Sequence, residues 1–576
     1  MLRTIQIPRV TLACLLLTFL AVSPFAHAQT ASAPATIGSG NTITADPPVP
    51  HPNTNPCVVT LFKNQEFADY SSQTFTYTPP AERCSPPWAK VIFVGDFNVT
   101  EGIQYDRTAA IYVGHVNVYY GTTPEPNPTL GPAWHVERNI TDYSALLTQP
   151  QSGEADIYNI VNSTYTGIIY GTAKIEFYPP DALDPAPRTP DDVLPIPDAA
   201  GGAVGLSSPT QSLSETFTLP TNVERAYLDV IAQSQQTDEQ WFLCPPTALE
   251  TELEDFCGNT AFRETEITID GTPAGVAPVY PWIYTGGIDP YLWAPIPGVQ
   301  TLNFIPYRVD LTPFASLLSD GAQHTVALSE FNTEYYFNMY ATLLLYQDHG
   351  SSQVTGDVTQ NTISAEPTPT VTDNLSVNSS GDVTGSLIVA SKRNFTVEGY
   401  VNTSHGKVDT KVTQALRFSN TQQYNINDSA DVENVNQTST VDSTTTTRTA
   451  ALVFEQTRHW SFPIVADIKF LAYPDGNFAQ ISKITQKYEV SDTEKAGGVP
   501  VYYGIVSNSV SSTDDLLVNS SFEISGNQDQ ASSQDYFSFD TIYGCYSRSL
   551  TAANNVLNGN SKGSGCSSAS KLTGTN

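Results

Sequence analysis

Short runs of β-branched and aromatic residues, each bounded by turn-forming residues, recur along most of the chain. Residues 91–94, 110–113 and 116–120 are such runs, and residues 266–270 and 466–470 alternate between apolar and polar side chains. An alternation of two residues is the period of a half-buried β-strand. The 41 prolines and 36 glycines supply the turns that short strands need. The pattern therefore predicts an all-β protein.

Changes in composition divide the chain into segments. Residues 29–56, rich in Ala, Pro, Thr and Asn, are predicted to be a flexible leader, and residues 181–205 a Pro-rich linker. The strand-like pattern predicts a first β-sandwich over residues 57–180 and a second over residues 206–350. Residues 351–576 are rich in Ser, Thr, Asn and Val but keep long alternating stretches. We therefore expect a third, β-rich C-terminal domain there.

The N-terminus has the features of a secretion signal. Arg3 and Arg9 accompany an apolar run over residues 11–22, and Ala26-His27-Ala28 offers a small-x-small cleavage site. The apolar run is shorter than the ~20 residues that a membrane-spanning helix needs. A signal peptide over residues 1–28 is therefore favoured over a membrane anchor. We expect a secreted protein, extracellular or periplasmic, with no membrane anchor after cleavage.

The charge balance is strongly acidic, with 58 Asp and Glu against 26 Lys and Arg. Cleavage after Ala28 would remove Arg3 and Arg9 and no acid, which changes the formal net charge from −32 to −34. Such a surface repels nucleic acid and anionic membranes, so neither is an expected partner. It also suggests a mildly acidic working environment, in which partial protonation would relieve self-repulsion.

Six cysteines remain once Cys14 leaves with the signal, and an even number in a secreted chain indicates three disulfides. Six cysteines allow 15 connectivities. The simplest pairs sequence neighbours and closes three local loops: Cys57–Cys84, Cys244–Cys257 and Cys545–Cys566. The sequence has no Cys-x-x-Cys or His-x-x-x-His pair, so we expect no metal site and no cofactor.

Two parts of the chain repeat one order of features. Asp106-Arg107 precedes a strand-like run, and a polar-Thr turn into an aromatic residue and a Leu pair follows over residues 139–147. Phe262-Arg263 and residues 310–318 repeat this order. Chance similarity between β-rich sequences is one explanation. The other is two copies of one sandwich side by side, and a cleft between them would be a natural ligand site.

Asp106 lies between Tyr105 and Arg107 at the entrance to a predicted strand. An acid in this place is a candidate catalytic carboxylate, which the arginine would hold ionised and oriented. A plain surface ion pair is the alternative. A second candidate is the run Asp238-Glu239-Gln240-Trp241, because carboxylates beside an indole suit sugar binding and proton transfer. An ordinary acidic loop is the alternative there.

Two further stretches could bind a ligand. Arg263 and Glu264 are neighbours on a predicted strand, so only one of them can point into a given cleft. Residues 280–293 are too rich in aromatic residues, Gly and Pro for a routine strand. Trp282 and Trp293 in this loop could line a sugar site, or the loop could cover a core.

In several ordered stretches the sequence resembles the almond-type peptide:N-glycosidases, the peptide-N-glycosidase A or glycoamidase A family. The matching stretches are residues 102–114, 123–126, 165–167, 238–242, 285–293 and 310–314, with a looser match at residues 459–463. The resemblance implies an amidase that cleaves the bond between Asn and the first N-acetylglucosamine of an N-glycan, releases the intact glycan and leaves Asp. Its partners would be N-glycosylated peptides and glycoproteins, and we expect a monomer.

A more distant resemblance is to the flavobacterial peptide:N-glycosidase, two jelly-roll β-sandwiches side by side. The aromatic-Asp-Arg motif of that enzyme is similar to Tyr105-Asp106-Arg107, and there the Asp is essential for catalysis. The expected fold is thus two adjacent jelly-roll-like β-sandwich domains followed by the C-terminal domain. The position of that enzyme's catalytic Glu is Asn259 here, so that role does not transfer. Glu239 is our substitute.

The resemblance assigns roles to these candidates. Asp106 would position or activate water, and Glu239 would assist proton transfer or hold the first sugar. The expected substrate-binding residues are Tyr105, Arg107, Trp241, Arg263, Glu264, Trp282 and Trp293. Two other classes of function stay open from the residues alone. One is a glycoside hydrolase with two carboxylates, which cuts within the glycan. The other is a non-catalytic carbohydrate-binding or adhesion protein.

Overall fold

The computed structural model describes residues 35–197, 201–253 and 257–566. The predicted signal peptide over residues 1–28 lies outside them. Strands dominate the described residues, where the α-helices are two single turns, Glu250–Leu253 and Ala315–Leu318. None of the helices in these ranges is long and apolar enough to cross a membrane. The predicted all-β fold class is confirmed.

The first unit is a sandwich of two antiparallel four-stranded sheets. Their strand orders are β1-β8-β3-β6 and β2-β7-β4-β5. Phe93 and Ile175 from one sheet and Ile111 from the other are fully buried between them. The strands are β1 (Cys57–Phe67), β2 (Gln73–Tyr77), β3 (Lys90–Val99), β4 (Thr108–Val113), β5 (Val116–Thr122), β6 (Ala133–Asn139), β7 (Gln151–Ile157) and β8 (Ile169–Tyr178).

The second unit repeats this arrangement. Its strands are β9 (Asp192–Ile196), β10 (Val204–Leu206), β11 (Leu213–Thr218), β12 (Val223–Gln235), β13 (Glu264–Ile269), β14 (Thr272–Pro278), β15 (Tyr307–Asp310), β16 (Gln323–Phe331) and β17 (Tyr336–Gln347). The sheets are ordered β10-β17-β12-β15 and β11-β16-β13-β14, and β9 also pairs with β17. Counted from β10, this is the strand order of the first unit.

The shared strand order explains why two parts of the sequence repeat one order of features. Asp106-Arg107 precedes β4, and Phe262-Arg263 precedes β13. Counted from β1 and from β10, each of these strands is the fourth of its sandwich. The later part of the repeat follows β6 and β15, the sixth strands counted from β1 and β10. It forms the 3-10 turns Thr141–Tyr143 and Thr312–Phe314. The similar residues therefore occupy corresponding places in two sandwiches of one topology. The two units are also in contact, since the Tyr120 hydroxyl donates to Gln233 at 2.6 Å.

The C-terminal part forms a single antiparallel sheet of twelve strands. In chain order they are β18 (Thr355–Asn361), β19 (Thr370–Asp373), β20 (Ser376–Val377), β21 (Val383–Thr403), β22 (Gly406–Asn427), β23 (Ala430–Arg448), β24 (Val453–Ala472), β25 (Phe478–Ala496), β26 (Val499–Val518), β27 (Ile524–Asp540), β28 (Gly544–Ala553) and β29 (Val556–Lys562). One face packs on the second sandwich, where Phe418 meets Phe262 at 5.0 Å between ring centroids and Phe462 meets Tyr280 at 5.1 Å.

The predicted flexible leader is packed where the structure describes it, over residues 35–56. The backbone of Gly38 donates to Leu557 at 2.8 Å, and Leu557 donates back to Ser39 at 2.9 Å. Ala45 is completely buried, and its N–H donates to the Gln534 side chain. The composition of this segment gave no strand or helix period, but its backbone finds partners on the C-terminal sheet. The prediction of flexibility is wrong for these residues.

The predicted linker over residues 181–205 also contributes strands. β9 and β10 both pair with β17, at residues 341–345 and 337–339. Pro195 lies within β9, and proline is tolerated there because an edge strand does not need every N–H for pairing. The high proline content therefore marked an edge of the second sandwich instead of a spacer between domains.

All six mature cysteines are disulfide-bonded in the structure. The bonds are Cys57–Cys84, Cys244–Cys257 and Cys545–Cys566, the sequence-neighbour pairing. Each closes a loop of moderate length, and chain-entropy reasoning gives about 3 kcal/mol of stabilisation for a loop of this kind.

A buried charge cluster lies where the second sandwich meets the C-terminal sheet. Arg393 on β21 donates to Glu264 and, at 2.6 Å, to Glu266, both on β13. Burial raises the pKa of Glu266 to about 9, and the charge of Glu264 adds to the shift. Burial also raises the pKa of Glu264. The folded protein therefore binds protons that the unfolded glutamates release, and this contribution to stability declines as pH rises from about 4.5 to about 9.

Replacing Arg393 with Met should destabilise the protein strongly at pH 7.5 and less at pH 5. Without the cation the buried glutamates must be protonated in the folded state, and this costs more the further the pH lies above their ordinary pKa of about 4.5. Breaking a buried ion pair typically costs about 3–5 kcal/mol. At pH 5 both glutamates can take up protons. Urea unfolding at the two pH values measures the difference. Arg417→Met, which breaks an exposed ion pair with Asp442, is the control and should cost less than about 1 kcal/mol. Equal destabilisation by Arg393→Met at both pH values would contradict the interpretation.

Candidate active site

Asp106 is half-buried in the loop that leads into β4. Gln104, two residues before Asp106, is buried and anchors this loop. Its side-chain amide donates to the carbonyls of Ile160 and Gly167 at 2.9 and 3.0 Å. The Arg107 N–H donates to the Thr123 hydroxyl at 3.0 Å, and the Arg107 guanidinium donates to the Gln104 side chain. The loop therefore fixes the Asp106 main chain from both sides.

Glu125 lies beside Asp106 and was not among the predicted site residues. The Asp106 N–H donates to Glu125 Oε1 at 3.2 Å. The hairpin of β4 and β5 causes this proximity, because Thr108 opposes Thr122, so the residues just before β4 meet those just after β5. The sequence carried the necessary signal: an acid lies three residues after the end of the strand that pairs with β4.

Glu239 belongs to the second sandwich and completes a group of three carboxyls. It follows β12 and the 3-10 turn Gln236–Asp238. The loop over residues 285–293, called the glycine loop, passes close to all three groups at Gly286 and Gly287. A Cβ on Gly286 would lie 2.4 Å from Glu125 Oε1 and 3.0 Å from Asp106 Oδ1, and a Cβ on Gly287 would lie 3.3 Å from Glu239 Oε1. The structure therefore brings Asp106 and Glu239 together with Glu125.

The three carboxyl groups have different proton affinities. Burial raises the pKa of Asp106 to about 6, although hydrogen bonding from the Gly286 backbone and the charge of Arg107 act in the opposite direction. Burial and the charge of Asp106 raise the pKa of Glu239 to about 8. The same two causes raise the pKa of Glu125 well above its ordinary value. Near pH 7 one carboxylate can thus accept a proton beside a carboxyl that can donate one.

Asp238 and Arg263 hold Glu239 in place. Both are buried, and the Arg263 Nη2 donates to Asp238 Oδ1 at 2.7 Å. The second Asp238 oxygen accepts the backbone N–H groups of Glu334 and Tyr335 at 3.0 and 2.6 Å. This arrangement corrects the prediction that Arg263 binds substrate. The charge of Arg263 is paired with that of Asp238 inside the protein, next to Glu239.

Other predicted substrate-binding residues also lie away from solvent. Trp241, Trp282 and Trp293 are only 1%, 4% and 3% exposed, so their faces are not available for stacking on a sugar. Trp241 and Trp282 pack on Phe418 and Phe304, and Trp293 Nε1 donates to the Gly287 carbonyl at 2.8 Å. Glu264 forms a buried ion pair with Arg393. These four predictions are corrected by burial, although Trp293 supports the glycine loop.

Tyr105 is the aromatic residue of the prediction that reaches the surface of the site. Its ring is half-buried and lies 5.3 Å from that of Tyr165 between centroids. Ile103, two residues earlier, is 52% exposed. The loop before β4 thus offers an apolar surface next to Asp106.

The C-terminal sheet holds the glycine loop from behind. Gln480 donates to the Ile288 carbonyl at 2.8 Å, and Ser512 donates to that of Leu292 at 2.6 Å. Asp289 accepts a hydrogen bond from the Tyr291 N–H at 2.9 Å and lies beside Asp514 of β26. Burial, and to a smaller extent the charge of Asp514, raises the pKa of Asp289 to about 8. Asp289 therefore holds a proton at neutral pH.

Among the residues that the structure describes, one group has the spacing of metal ligands, and it lies outside the three active-site carboxyls. The ligand atoms of Glu224, Asp348 and His405 lie within 4.8 Å of one another. Asp348 already accepts from Ser404 and Gly350, and Glu224 pairs with Arg188. These groups are satisfied within the protein, and none of them belongs to the three active-site carboxyls.

Comparison of the sequence with protein families identifies the family of the chain. The model of the family described as peptide N-acetyl-β-D-glucosaminyl asparaginase amidase A matches residues 47–386, which contain Asp106, Glu125, Glu239 and the glycine loop. The chain belongs to this amidase A family. A second model, the PNGase A C-terminal domain, matches residues 386–464.

Individual relatives agree with the family match. Peptide-N4-(N-acetyl-beta-glucosaminyl)asparagine amidase A of Prunus dulcis is 26% identical over 545 residues, which are 91% of this chain and 92% of the relative. The structure of PNGF-II is 12% identical at a TM-score of 0.36 and covers 51% of this chain and 66% of its own. PNGase F of Flavobacterium meningosepticum is 16% identical at a TM-score of 0.34, and the match covers 51% of this chain and 96% of the PNGase F chain. Both TM-scores are too low to support an argument about the fold.

Replacing Gly286 with Ala should reduce the amidase activity from which the family takes its name by about 100-fold, since small displacements of catalytic groups have costs of this order. Gly286 does not have a positive φ, so the cost is steric: the new methyl group would displace the Glu125 and Asp106 carboxylates. Activity and melting temperature measure the two effects. Gly565→Ala, whose Cβ would come no closer than 3.3 Å to another atom, is the control. Unchanged activity of Gly286→Ala would show that the carboxylates do not need this contact.

Proposed function

We propose that this protein is a peptide:N-glycosidase, which hydrolyses the amide bond between an Asn side chain and the first N-acetylglucosamine of an N-glycan. The observation that carries the proposal is the group of three carboxyls between the two sandwiches, with pKa values of about 6 for Asp106 and about 8 for Glu239. Membership of the amidase A family and the likeness to the Prunus dulcis amidase support this choice of substrate bond.

The two pKa values assign the direction of proton transfer. Near pH 7 Asp106 is ionised and accepts a proton from a water molecule, whose oxygen bonds to the side-chain carbonyl carbon of the substrate Asn. Glu239 is protonated and donates its proton to the amide nitrogen as the carbon–nitrogen bond breaks. The products are an Asp in the peptide and a glycosylamine, which loses ammonia afterwards in solution. Transfer of the proton from Asp106 to Glu239 restores the starting state.

The remaining groups position these two. Glu125 accepts the Asp106 N–H, and the Gly286 backbone is hydrogen-bonded to the Asp106 carboxylate. Arg107 limits the rise in the pKa of Asp106, so this carboxyl ionises before Glu239. Tyr105, with Tyr165 against it, provides an apolar face for the first sugar or the peptide. No step of this mechanism requires a metal ion.

Asp106→Asn should lower activity on a glycopeptide by at least about 10²–10⁴-fold, the typical contribution of a placed carboxylate to proton transfer, while leaving the melting temperature near that of the wild type. Asp373→Asn, at an exposed position in β19, is the control. Mass spectrometry of the product made in ¹⁸O-labelled water should show an Asp that carries ¹⁸O and no sugar. A sugar left on Asn would indicate a glycoside hydrolase, and binding without turnover would indicate a lectin-like protein. Near-normal activity of Asp106→Asn would refute the mechanism.

We also propose that the protein works as a secreted monomer, extracellular or periplasmic, on N-glycosylated peptides and glycoproteins. The three disulfides support an oxidising compartment, because such bonds rarely persist in the cytosol. N-terminal sequencing of the mature protein should start at Gln29. An intact Met1 on protein recovered from the cytosol would contradict secretion.

A further inference from the structure

Four tyrosines surround the outer edge of the carboxyl site and have no role in the mechanism above. Tyr70 follows β1, Tyr158 follows β7, and Tyr335 and Tyr336 lie at the start of β17. We call these four residues the tyrosine rim. Tyr70, Tyr158 and Tyr335 are 62%, 39% and 53% exposed, and Tyr336 is half-buried. The first two come from the first sandwich and the other two from the second.

Hydrogen bonds link the first half of the rim to the loop of Asp106. Asn159, next to Tyr158, donates its backbone N–H to Asp69 at 3.0 Å and its side chain to Gly167 at 3.2 Å. Gln104 donates to the same Gly167 carbonyl. Tyr158 also follows a strand in which Ile157 opposes Ala109 of β4. Tyr70 and Tyr158 are therefore fixed next to the loop that carries Asp106.

The second half of the rim is linked to Glu239. The Tyr335 N–H donates to Asp238 at 2.6 Å, and Tyr336 opposes Gln235 at the end of β12, four residues before Glu239. The two halves lie at the same edge of the cleft, because the side chain of Gln235, which opposes Tyr336, donates to Thr108 of the first sandwich at 3.5 Å. Thr108 precedes Ala109, which opposes Ile157 beside Tyr158. The rim thus brings tyrosines of both sandwiches to one edge of the cleft between them.

The rings form two pairs that leave part of each face open. Tyr70 and Tyr158 lie 6.3 Å apart between centroids, and Tyr335 and Tyr336 lie 5.7 Å apart. A tyrosine offers a rigid apolar face together with a hydroxyl, at low cost in side-chain entropy. The open faces suit the apolar sides of sugar rings, and the hydroxyls suit the hydroxyl groups at the edges of those rings.

We propose that the tyrosine rim is a binding surface for the sugars of the N-glycan beyond the first two N-acetylglucosamines. This inference rests on the proposed function, because the carboxyl site places the start of the glycan and the rim continues from it. A glycan is favoured over the peptide portion because the rim has flat faces and hydroxyls instead of pockets for side chains. The formal net charge of −32 further favours a neutral oligosaccharide over acidic peptides.

The test compares two glycopeptides with the same peptide, one with a complete oligomannose glycan and one with only the first two N-acetylglucosamines. In the double variant Tyr70→Ala with Tyr335→Ala, KM for the complete glycan should rise by about 10-fold or more, since an aromatic contact is worth about 0.5–1.5 kcal/mol and 1.4 kcal/mol is tenfold. The kcat and KM for the short glycan should be unchanged. Tyr473→Ala, at a 44% exposed tyrosine in the turn after β24, is the matched control and should change neither substrate.

Direct binding separates this proposal from the proposed function. Saturation-transfer NMR of the free oligomannose glycan with the full chain should show contact to the sugars, and the double variant should remove it even if no hydrolysis occurs. Equal loss for both glycopeptides, or no loss for either, would overturn the proposal. A third glycopeptide, with the short glycan on a longer peptide, tests the peptide as the occupant. A rise in its KM in the double variant would identify the rim as a peptide surface and would also overturn the proposal.

Discussion

The close contact between a glycine backbone and three carboxyl groups is the constraint on which the site depends. A side chain at residue 286 would displace Glu125 and Asp106, and one at residue 287 would lie tightly against Glu239. With glycine there, the acids lie near one another in a partly desolvated place, and burial raises their pKa values. A polar loop with larger residues would separate the acids and return each to its ordinary proton affinity.

The C-terminal sheet stabilises this contact, although it contributes none of the three carboxyls. Polar side chains on its inner face donate to the backbone carbonyls of the glycine loop, as Gln480 does to Ile288 and Ser512 to Leu292. Loops of this length without regular structure would otherwise be mobile. The protonated Asp289 beside Asp514 adds a contact that an ionised pair would oppose. The third unit thus acts as a support for the loop of the second.

The two sandwiches use corresponding positions for different purposes. In the first, the residues before the fourth strand place Asp106 in the cleft, and Arg107 bonds to Gln104. In the second, Phe262 packs in the core and Arg263 bonds to the buried Asp238, which fixes Glu239. The same topology therefore places the Asp106 carboxyl on one side of the cleft. On the other side it places the Asp238–Arg263 pair, which positions Glu239.

The strand period, the cysteine positions and the run around Asp106 were readable from the sequence because each is a local signal. The all-β class, the repeat of two sandwiches and the family resemblance follow from them. The tertiary structure decided which acids meet: Glu125 reaches Asp106 only through the β4–β5 hairpin, and Glu239 only through packing of the two units. Burial, too, is not a local property, so the sequence could not distinguish the buried Trp241, Trp282 and Trp293 from the exposed tyrosines that surround the site.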